Sequence, residues 1–378
     1  MKKKILTIGA YERDNFGDLL FYIITKKYLT EYTVVPGAVS GADMRDLIGE
    51  IVLPYPALLE SSHWDAIWVV GGEIGAASTN ASIRMSITKE KETIYTSLSK
   101  KNQLALDELY NYNTNKTTIG YLPSLEKIST TTQLIVNSVG ISGLSSMPNR
   151  IRNPAITSLA KSASVSVRDP DSSQYCKDIN IQSVLSPDIV HTISRHFGVL
   201  TKPEMLPDNY IVFQMSEELA STVSVDNLAG VLDTIAEKYE CSIVFFAAGT
   251  ANYHDNNDVY HRLMKKLKCR TKLFLNRNPM KLAACIANSK IWLGTSLHGR
   301  IIAASYGVRR ISFVNQKVTT YAKYWDGTQP YDIKIEDLKT ATITALAVSD
   351  EDLLSVADNL AKQADTSTKK IVDEVLTL

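Results

Sequence analysis

The segment Lys290-Ile-Trp-Leu-Gly-Thr-Ser-Leu-His-Gly-Arg-Ile-Ile-Ala-Ala-Ser-Tyr-Gly307 carries the sharpest chemical signal in the chain. An apolar run ends at Gly294. Thr295 and Ser296 then offer capping hydroxyls, and His298 falls in the first turn of an apolar helix. Open N–H groups and the dipole make such a helix end attractive to an anion. A histidine there can donate to a bound phosphate or shuttle a proton near neutral pH. The plainer alternative is an imidazole bonded to local backbone. The other histidines, His254 and His261 among them, have no comparable setting.

Three earlier segments add candidates. In Asp14-Asn-Phe-Gly-Asp18, Gly17 lets the backbone approach a ligand, and Asn15 or Asp18 can cap the helix that follows. An ordinary capped turn has the same residues. In Val69-Val-Gly-Gly-Glu-Ile-Gly75, Gly71 and Gly72 permit a tight turn directly after a strand and direct Glu73 toward a ligand. The spacing does not match the G-x-G-x-x-G dinucleotide fingerprint. In Ser164-Val-Ser-Val-Arg-Asp169, Arg168 ends a strand, where its planar guanidinium can hold carboxylate or phosphate bidentately or else pair with a neighbouring carboxylate such as Asp169. Ser186-Pro-Asp188 reads as a turn or as a carboxylate facing a ligand.

All of these follow short apolar runs, so the elements that place them come next. Lys4–Gly9 reads as a buried strand and 18–29 as a helix. Further strands are expected at 33–35, 66–70, 117–121, 134–139 and 164–167. A second series starts near Asn209, with strands at 210–215, 242–247, 272–275, 290–293 and 310–314. Helices are expected at 225–239, 257–267, 280–287 and 297–306. Strands alternating with helices imply parallel sheets. The expected fold is α/β, with two Rossmann-like domains facing a cleft. The first spans 1–200 and the second 209–330, joined by a proline-containing linker at 198–209, with C-terminal helices at 335–378 packing back. The Ser-, Thr- and Asn-rich segment 75–116, helical near 103–109, reads as an insertion or lid. Open α/β sheets bind ligands beyond the carboxyl ends of their strands, where every candidate above lies.

Composition narrows the class. With 378 residues the chain exceeds one ordinary core. Lys and Arg total 41 against 40 Asp and Glu, a net charge of +1 that gives no argument for wrapping a nucleic acid. Cys176, Cys241, Cys269 and Cys285 show no C-x-x-C spacing and read as reduced thiols. The apolar run after Met1 stops at Tyr11-Glu12-Arg13-Asp14, too short for a secretory signal, and no stretch is long enough to span a bilayer. A cytoplasmic protein is expected, one that could still visit the inner face of the plasma membrane.

In order and spacing, these segments resemble the polysaccharide pyruvyltransferase family. The family's N-x-G-D, G-G, V-R-D-x-x-S and late L-H-G elements stand here as Asn15-Phe-Gly-Asp18, Gly71-Gly72, Val167-Arg-Asp-Pro-Asp-Ser172 with Ser186-Pro-Asp188, and Ser296-Leu-His-Gly299. The pattern covers residues 4–315. The resemblance implies a GT-B-like fold, with the donor on the C-terminal side and the acceptor on the N-terminal side. It implies phosphoenolpyruvate as donor and a pyruvate ketal formed on a sugar of a cell-surface glycan or its lipid-linked precursor. Arg168 and His298 map onto the family's donor-binding residues. Many members have Arg two positions before the histidine; Ser296 stands there in this chain, and Arg300 points to nearly the opposite helix face.

Ketal formation from such a donor needs a general acid, a base and cationic or N–H clamps, with no cofactor and no metal. His298 is the expected acid or phosphate ligand, and Asp18 or Glu73 the base. Arg168, Asn15, Gly17, Gly71, Gly72, Thr295, Ser296 and Arg300 are expected to bind substrate. Contact with a membrane through the acceptor and a homo-oligomeric state are both compatible with this reading. Two alternatives stand beside it: a GT-B-type glycosyltransferase using a nucleotide sugar, and a carbohydrate-binding protein without catalysis.

Overall fold

The computed structural model describes residues 2–113, 119–124, 126, 128–249, 255 and 257–376, with backbone only for 107–113. The chain divides into two compact units, Met1–Ile189 with Asp365–Leu378, and Val190–Ala364.

In the first unit the described strands are β1 (Lys4–Ile8), β2 (Thr33–Ala38), β3 (Ala42–Met44), β4 (Glu50–Pro54), β5 (Ala66–Val70), β6 (Gln133–Val139), β7 (Ser164–Val167) and β8 (Val184–Leu185). They form one sheet in the order β3-β4-β2-β1-β5-β6-β7-β8. Every pairing is parallel except β3 with β4. Interior strands are apolar on both faces, as a parallel sheet covered by helices requires; all five residues of β5 are buried. The direction of strand order reverses between β1 and β5. The helix Phe16–Tyr28 leaves the loop after β1.

The second unit repeats the plan with β9 (Tyr210–Phe213), β10 (Ser242–Phe246), β11 (Thr271–Phe274), β12 (Ile291–Gly294) and β13 (Arg309–Ser312), ordered β11-β10-β9-β12-β13 and parallel throughout. This is the doubly wound order, with its switch point between β9 and β12. Ile211, Phe213, Ile243, Phe245, Ile291 and Leu293 belong to one core that also takes Leu232 and Ile235 from the helix Val225–Lys238.

Sequence periodicity finds most of these elements within a few residues and misses β3, β4 and β8: β3 and β8 are short and at the sheet edges, and β4 buries only one of its five residues. Of the strand expected at 117–121, Thr117 and Thr118 lie outside the described residues, and Ile119 makes a single bridge to Ser78. The segment 75–116 carries helices Thr79–Ser86, Lys89–Ser97 and Lys100–Asn113, the first two capped by Ser78 and Thr88. The tail is helical, with Leu338–Ala347 and Asp350–Ile371. Among described helices none is long and apolar enough to cross a membrane.

One buried histidine titrates against this fold. His191 is fully buried, with Nε2 3.1 Å from the Tyr321 hydroxyl and Nδ1 3.4 Å from that of Ser305. Burial pushes its imidazole down to about 3, so it stays neutral in the native state. An unfolded histidine takes up its proton near pH 6.5, so stability from this group is complete above that value and is lost as pH falls toward 3. Between about pH 7.5 and pH 5 the loss is about 2 kcal/mol. His191→Gln, which keeps hydrogen-bonding capacity without titrating, is expected to flatten that slope in urea unfolding at the two pH values; an unchanged slope would assign it elsewhere.

Candidate active site

The candidate residues of the first unit gather at the switch point between β1 and β5. Asn15 caps the helix Phe16–Tyr28 through its side chain, which accepts from the Gly17 N–H at 3.1 Å. Asp18, in the first turn, holds Arg13: both Nε at 3.2 Å and Nη2 at 3.0 Å reach Oδ2. Its other oxygen, Oδ1, faces Gly72, where an added Cβ would lie 3.9 Å away. Gly71 and Gly72 both have positive φ, and a Cβ on Gly71 would strike the Phe21 ring at 2.3 Å. The two glycines are therefore demanded by backbone conformation and, at Gly71, by the helix lying against the strand end. Glu73 bridges to Gly140, accepts from the Gly143 N–H at 3.4 Å and lies so close that a Cβ on Gly140 would sit 2.2 Å from Oε2.

Arg168, expected as an anion clamp, is 1% exposed, and its Nη1 lies 2.8 Å from Oδ2 of the fully buried Asp188. Burial alone would lower its pKa, but Asp188, Asp169 and Glu73 hold it above the usual guanidinium value. The rest of that motif is scaffold. Asp169 caps the helix Pro170–Asp178 by accepting from the Ser172 N–H at 2.7 Å, and the Ser172 hydroxyl receives the N–H groups of Ile141 at 2.8 Å and Ser142 at 3.2 Å. V-R-D-x-x-S thus ties the loop after β6 to the end of β7.

Glu12, Arg13 and Tyr121 escaped the sequence reading. Glu12 is buried, accepts from the Tyr121 hydroxyl at 2.7 Å and from Ser86 at 3.1 Å, and is raised by burial against the lowering influence of Arg13. Arg13 also lies over the Tyr121 ring, 5.8 Å from its centroid. The available signal was a pair of opposite charges directly after the first strand.

In the second unit the helix Leu297–Ser305 starts as expected. Ser296 is its N-cap, its Oγ accepting from the Gly299 N–H at 3.2 Å. His298 stands in the first turn, 8% exposed. Gly299 is required because a Cβ there would sit 2.0 Å from the indole of Trp292, on which the helix rests. The free N–H groups expected beside His298 are in part already answered. The Gln214 Oε1 accepts from the Ser296 N–H at 2.8 Å, the Thr295 N–H at 2.9 Å and the Thr295 hydroxyl at 3.2 Å. Thr295 Oγ1 in turn accepts from the Ser216 N–H at 3.0 Å. Thr295, expected to bind substrate, is thereby committed to the fold, whereas the hydroxyl proton of Ser296 enters no described hydrogen bond.

Arg300, expected to bind substrate, is turned into the protein. It is 1% exposed and donates to Ser312 Oγ at 3.1 Å and to the carbonyls of Pro330, Asp326 and Gln329 at 2.9, 3.0 and 2.9 Å. Its Nε lies 2.8 Å from the Asp326 carboxylate. Burial lowers it to about 10, against the pull of Asp326. Arg310 also pairs with Asp326, and the two cations outweigh burial to keep that carboxyl below its usual range. Arg300 is structural because the helix turns it inward.

Gln214 directly follows β9, and its Nε2 donates to Asp255 Oδ1 at 2.7 Å. Asp255 Oδ2 accepts from the Ala248 N–H at 2.6 Å, and burial pushes the carboxyl up to about 7. His261 is exposed on the helix Asn257–Lys266, and His254 lies outside the described residues. Among the described residues no group of three or more His, Cys, Asp or Glu is placed to hold a metal ion.

The family described as polysaccharide pyruvyl transferase matches residues 15–317. No curated protein matches the chain. Its fold is similar to that of S. aureus MnaA, solved with UDP (TM-score 0.60, 10% identity, covering 100% of this chain and 98% of that one). UDP-GlcNAc 2-epimerase from Neisseria meningitidis, bound to UDP-GlcNAc, gives a TM-score of 0.56 at 12% identity, with 99% of each chain covered. The Methanocaldococcus jannaschii UDP-GlcNAc 2-epimerase gives 0.57 at 12%, covering 93% and 94%. At these identities the likeness establishes the architecture, which is GT-B-like.

The Arg168–Asp188 assignment has a direct test. Arg168→Met leaves a buried carboxylate without its cation and is expected to cost about 3–5 kcal/mol in urea unfolding. Adding Asp188→Leu is expected to recover most of that loss. A stable Arg168→Met protein would show that the pair is dispensable to the fold.

Proposed function

We propose that this chain, which belongs to the polysaccharide pyruvyl transferase family, moves the three carbons of phosphoenolpyruvate onto two hydroxyls of a glycan sugar or its precursor and closes them as a ketal. The observation that carries the reading is His298, held in the first turn of a helix that starts where β12 ends. Such a group can meet a phosphate or deliver a proton.

Protonation of the donor's methylene carbon makes the adjacent carbon electrophilic, and His298 is the proposed acid. One sugar hydroxyl forms a C–O bond there and gives up its proton to a base. The bond to phosphate then breaks, and a second hydroxyl adds with loss of its proton. Asp18 is the preferred base: Arg13 occupies Oδ2, while Oδ1 faces Gly72, where no side chain obstructs a hydroxyl. Glu73 is the second choice, being engaged with the Gly140–Gly143 turn. Asn15, Gly17, Gly71 and Gly72 shape the backbone beside that base. With the Arg300 guanidinium spent on internal acceptors, His298 and Ser296 are the donor-facing groups proposed in the second unit.

Calorimetry after exhaustive chelation is expected to show phosphoenolpyruvate binding without divalent metal, and no comparable binding of UDP-sugars. Binding of a nucleotide sugar alone would replace this reading with glycosyl transfer, and binding restored only by magnesium would reject the metal-free mechanism.

Turnover can be followed as phosphate released from phosphoenolpyruvate with a panel of glycan acceptors. His298→Ala is expected to lower it by about a hundredfold or more. His298→Gln, which still donates a hydrogen bond but transfers no proton near neutrality, separates the roles. Donor binding without turnover supports the acid, and retention of both leaves only phosphate contact. Near-normal turnover in the alanine variant would remove His298 from the chemistry.

A further inference from the structure

The switch point of the second unit is closed by one side chain. Gln214 leaves the carboxyl end of β9, is 2% exposed, and reaches across to the first residues beyond β12. Its orientation is not a matter of choice. Two backbone N–H groups point at one end of the amide, so that end must be the carbonyl oxygen. The amino end then faces a carboxylate oxygen of Asp255, and the other carboxylate oxygen is held by the N–H of Ala248, just past β10. Three parallel strand ends are joined through four polar atoms of two side chains. The Thr295–Ser296 turn so held is the turn from which His298 is presented two residues later.

We propose that Gln214 and Asp255 are positioning residues for His298, fixing the strand-to-helix turn and transmitting the charge state of Asp255 to it. The proposal goes beyond the reading above and needs that reading only where donor affinity is measured. A charged Asp255 strengthens its bond to Nε2, because hydrogen bonds to an ionised acceptor are roughly twice as strong as neutral ones. It also polarises the amide, so Oε1 accepts more strongly from Thr295 and Ser296. A protonated Asp255 does neither. Burial, which raises this carboxyl, brings the change into the physiological range. Among the described residues, the groups facing Asp255 are the neutral Gln214 amide from β9, the Ala248 N–H beyond β10 and the Tyr260 phenol from the helix Asn257–Lys266. The Tyr260 hydroxyl is bonded to the backbone of Met215 and Phe246 and is held far above its usual range, so it does not titrate alongside Asp255.

The test uses the full chain, labelled with ¹⁵N. The backbone amide resonances of Thr295 and Ser296 are followed from about pH 5.5 to 8.5. Both are expected to move with one midpoint near 7, and the movement is expected to vanish in Asp255→Asn. Static resonances, or the same movement in Asp255→Asn, would overturn the proposal; the latter would give the titration to another group, such as His298. If the asparagine variant does not fold, the ¹³C carboxyl resonance of wild-type Asp255 decides: its midpoint must coincide with that of the two amides, and a different midpoint is equally fatal. In a second arm, phosphoenolpyruvate affinity is measured over the same range. Removing the charge-assisted bond in Asp255→Asn is expected to weaken it about fivefold above the midpoint and to abolish the wild-type step near pH 7. A step that persists in Asp255→Asn also overturns the proposal. Wild-type protein that does not bind phosphoenolpyruvate would sink the proposed donor while leaving the amide titration to stand or fall alone.

Discussion

A parallel sheet that reverses its winding leaves a gap between two neighbouring strands, and in the second unit the strands on either side of it are β9 and β12. The loops after those strands carry backbone N–H groups that point toward the gap and need acceptors. Gln214 supplies one for Thr295 and Ser296 together. Without it the buried Thr295 N–H would lie unsatisfied, at about 1–3 kcal/mol, the part-buried Ser296 N–H would lose its acceptor, and the start of the helix Leu297–Ser305 would lose its anchor. The positions of Ser296 as cap, of Gly299 against Trp292 and of His298 in the first turn all follow from that anchored start.

Both arginines that sequence reasoning assigned to substrate are buried and paired, Arg168 with Asp188 and Arg300 with Asp326. A guanidinium at a strand end serves equally well as an anion clamp or as half of a buried pair, because both demand a planar fork facing a carboxylate-like group. What separates the two is whether the fold supplies its own carboxylate. Here it does, through Ser186-Pro-Asp188 in one unit and through the loop containing Asp326 in the other. The motif that follows Arg168 makes the same point: Asp169 and Ser172 spend their hydrogen bonds on a helix start and on a neighbouring loop.

Much of the fold could be read from the chain because parallel strands buried on both faces appear as continuous apolar runs. YIVF, SIVFF and AIWVV are such runs, each followed by a polar or glycine-rich break. β3 and β8 are only three and two residues long and carry too little apolar pattern to register. The catalytic candidates at strand ends were legible for the same reason as the strands. Gln214 and Asp255 were not, because they lie 41 residues apart and only the adjacency of β9, β10 and β12 brings them together. Glu12 and Tyr121, 109 residues apart, were hidden likewise. The inward turn of Arg300 could be anticipated from helical geometry, yet its partner Asp326 could not be named from spacing.

The helix end at His298 was expected to bind an anion through open backbone N–H groups, and the structure moves that burden. Thr295, Ser296 and Gly299 have their N–H groups answered within the protein. A phosphate approaching this turn therefore competes with an intact internal network rather than filling an empty one. Displacing Gln214 would gain the anion two N–H bonds but would strand the amide oxygen and release Asp255 from its partner, so exchange of this kind is unfavourable. An anion gains more by leaving the network whole and meeting the groups outside it: the imidazole of His298, the hydroxyl proton of Ser296 and the positive end of the helix dipole. On the proposed reading, recognition would rest on that imidazole instead of on fixed backbone donors. It suits a site that must deliver a proton as well as hold a phosphate, because the imidazole lies within the first turn of the same helix whose field would hold the anion.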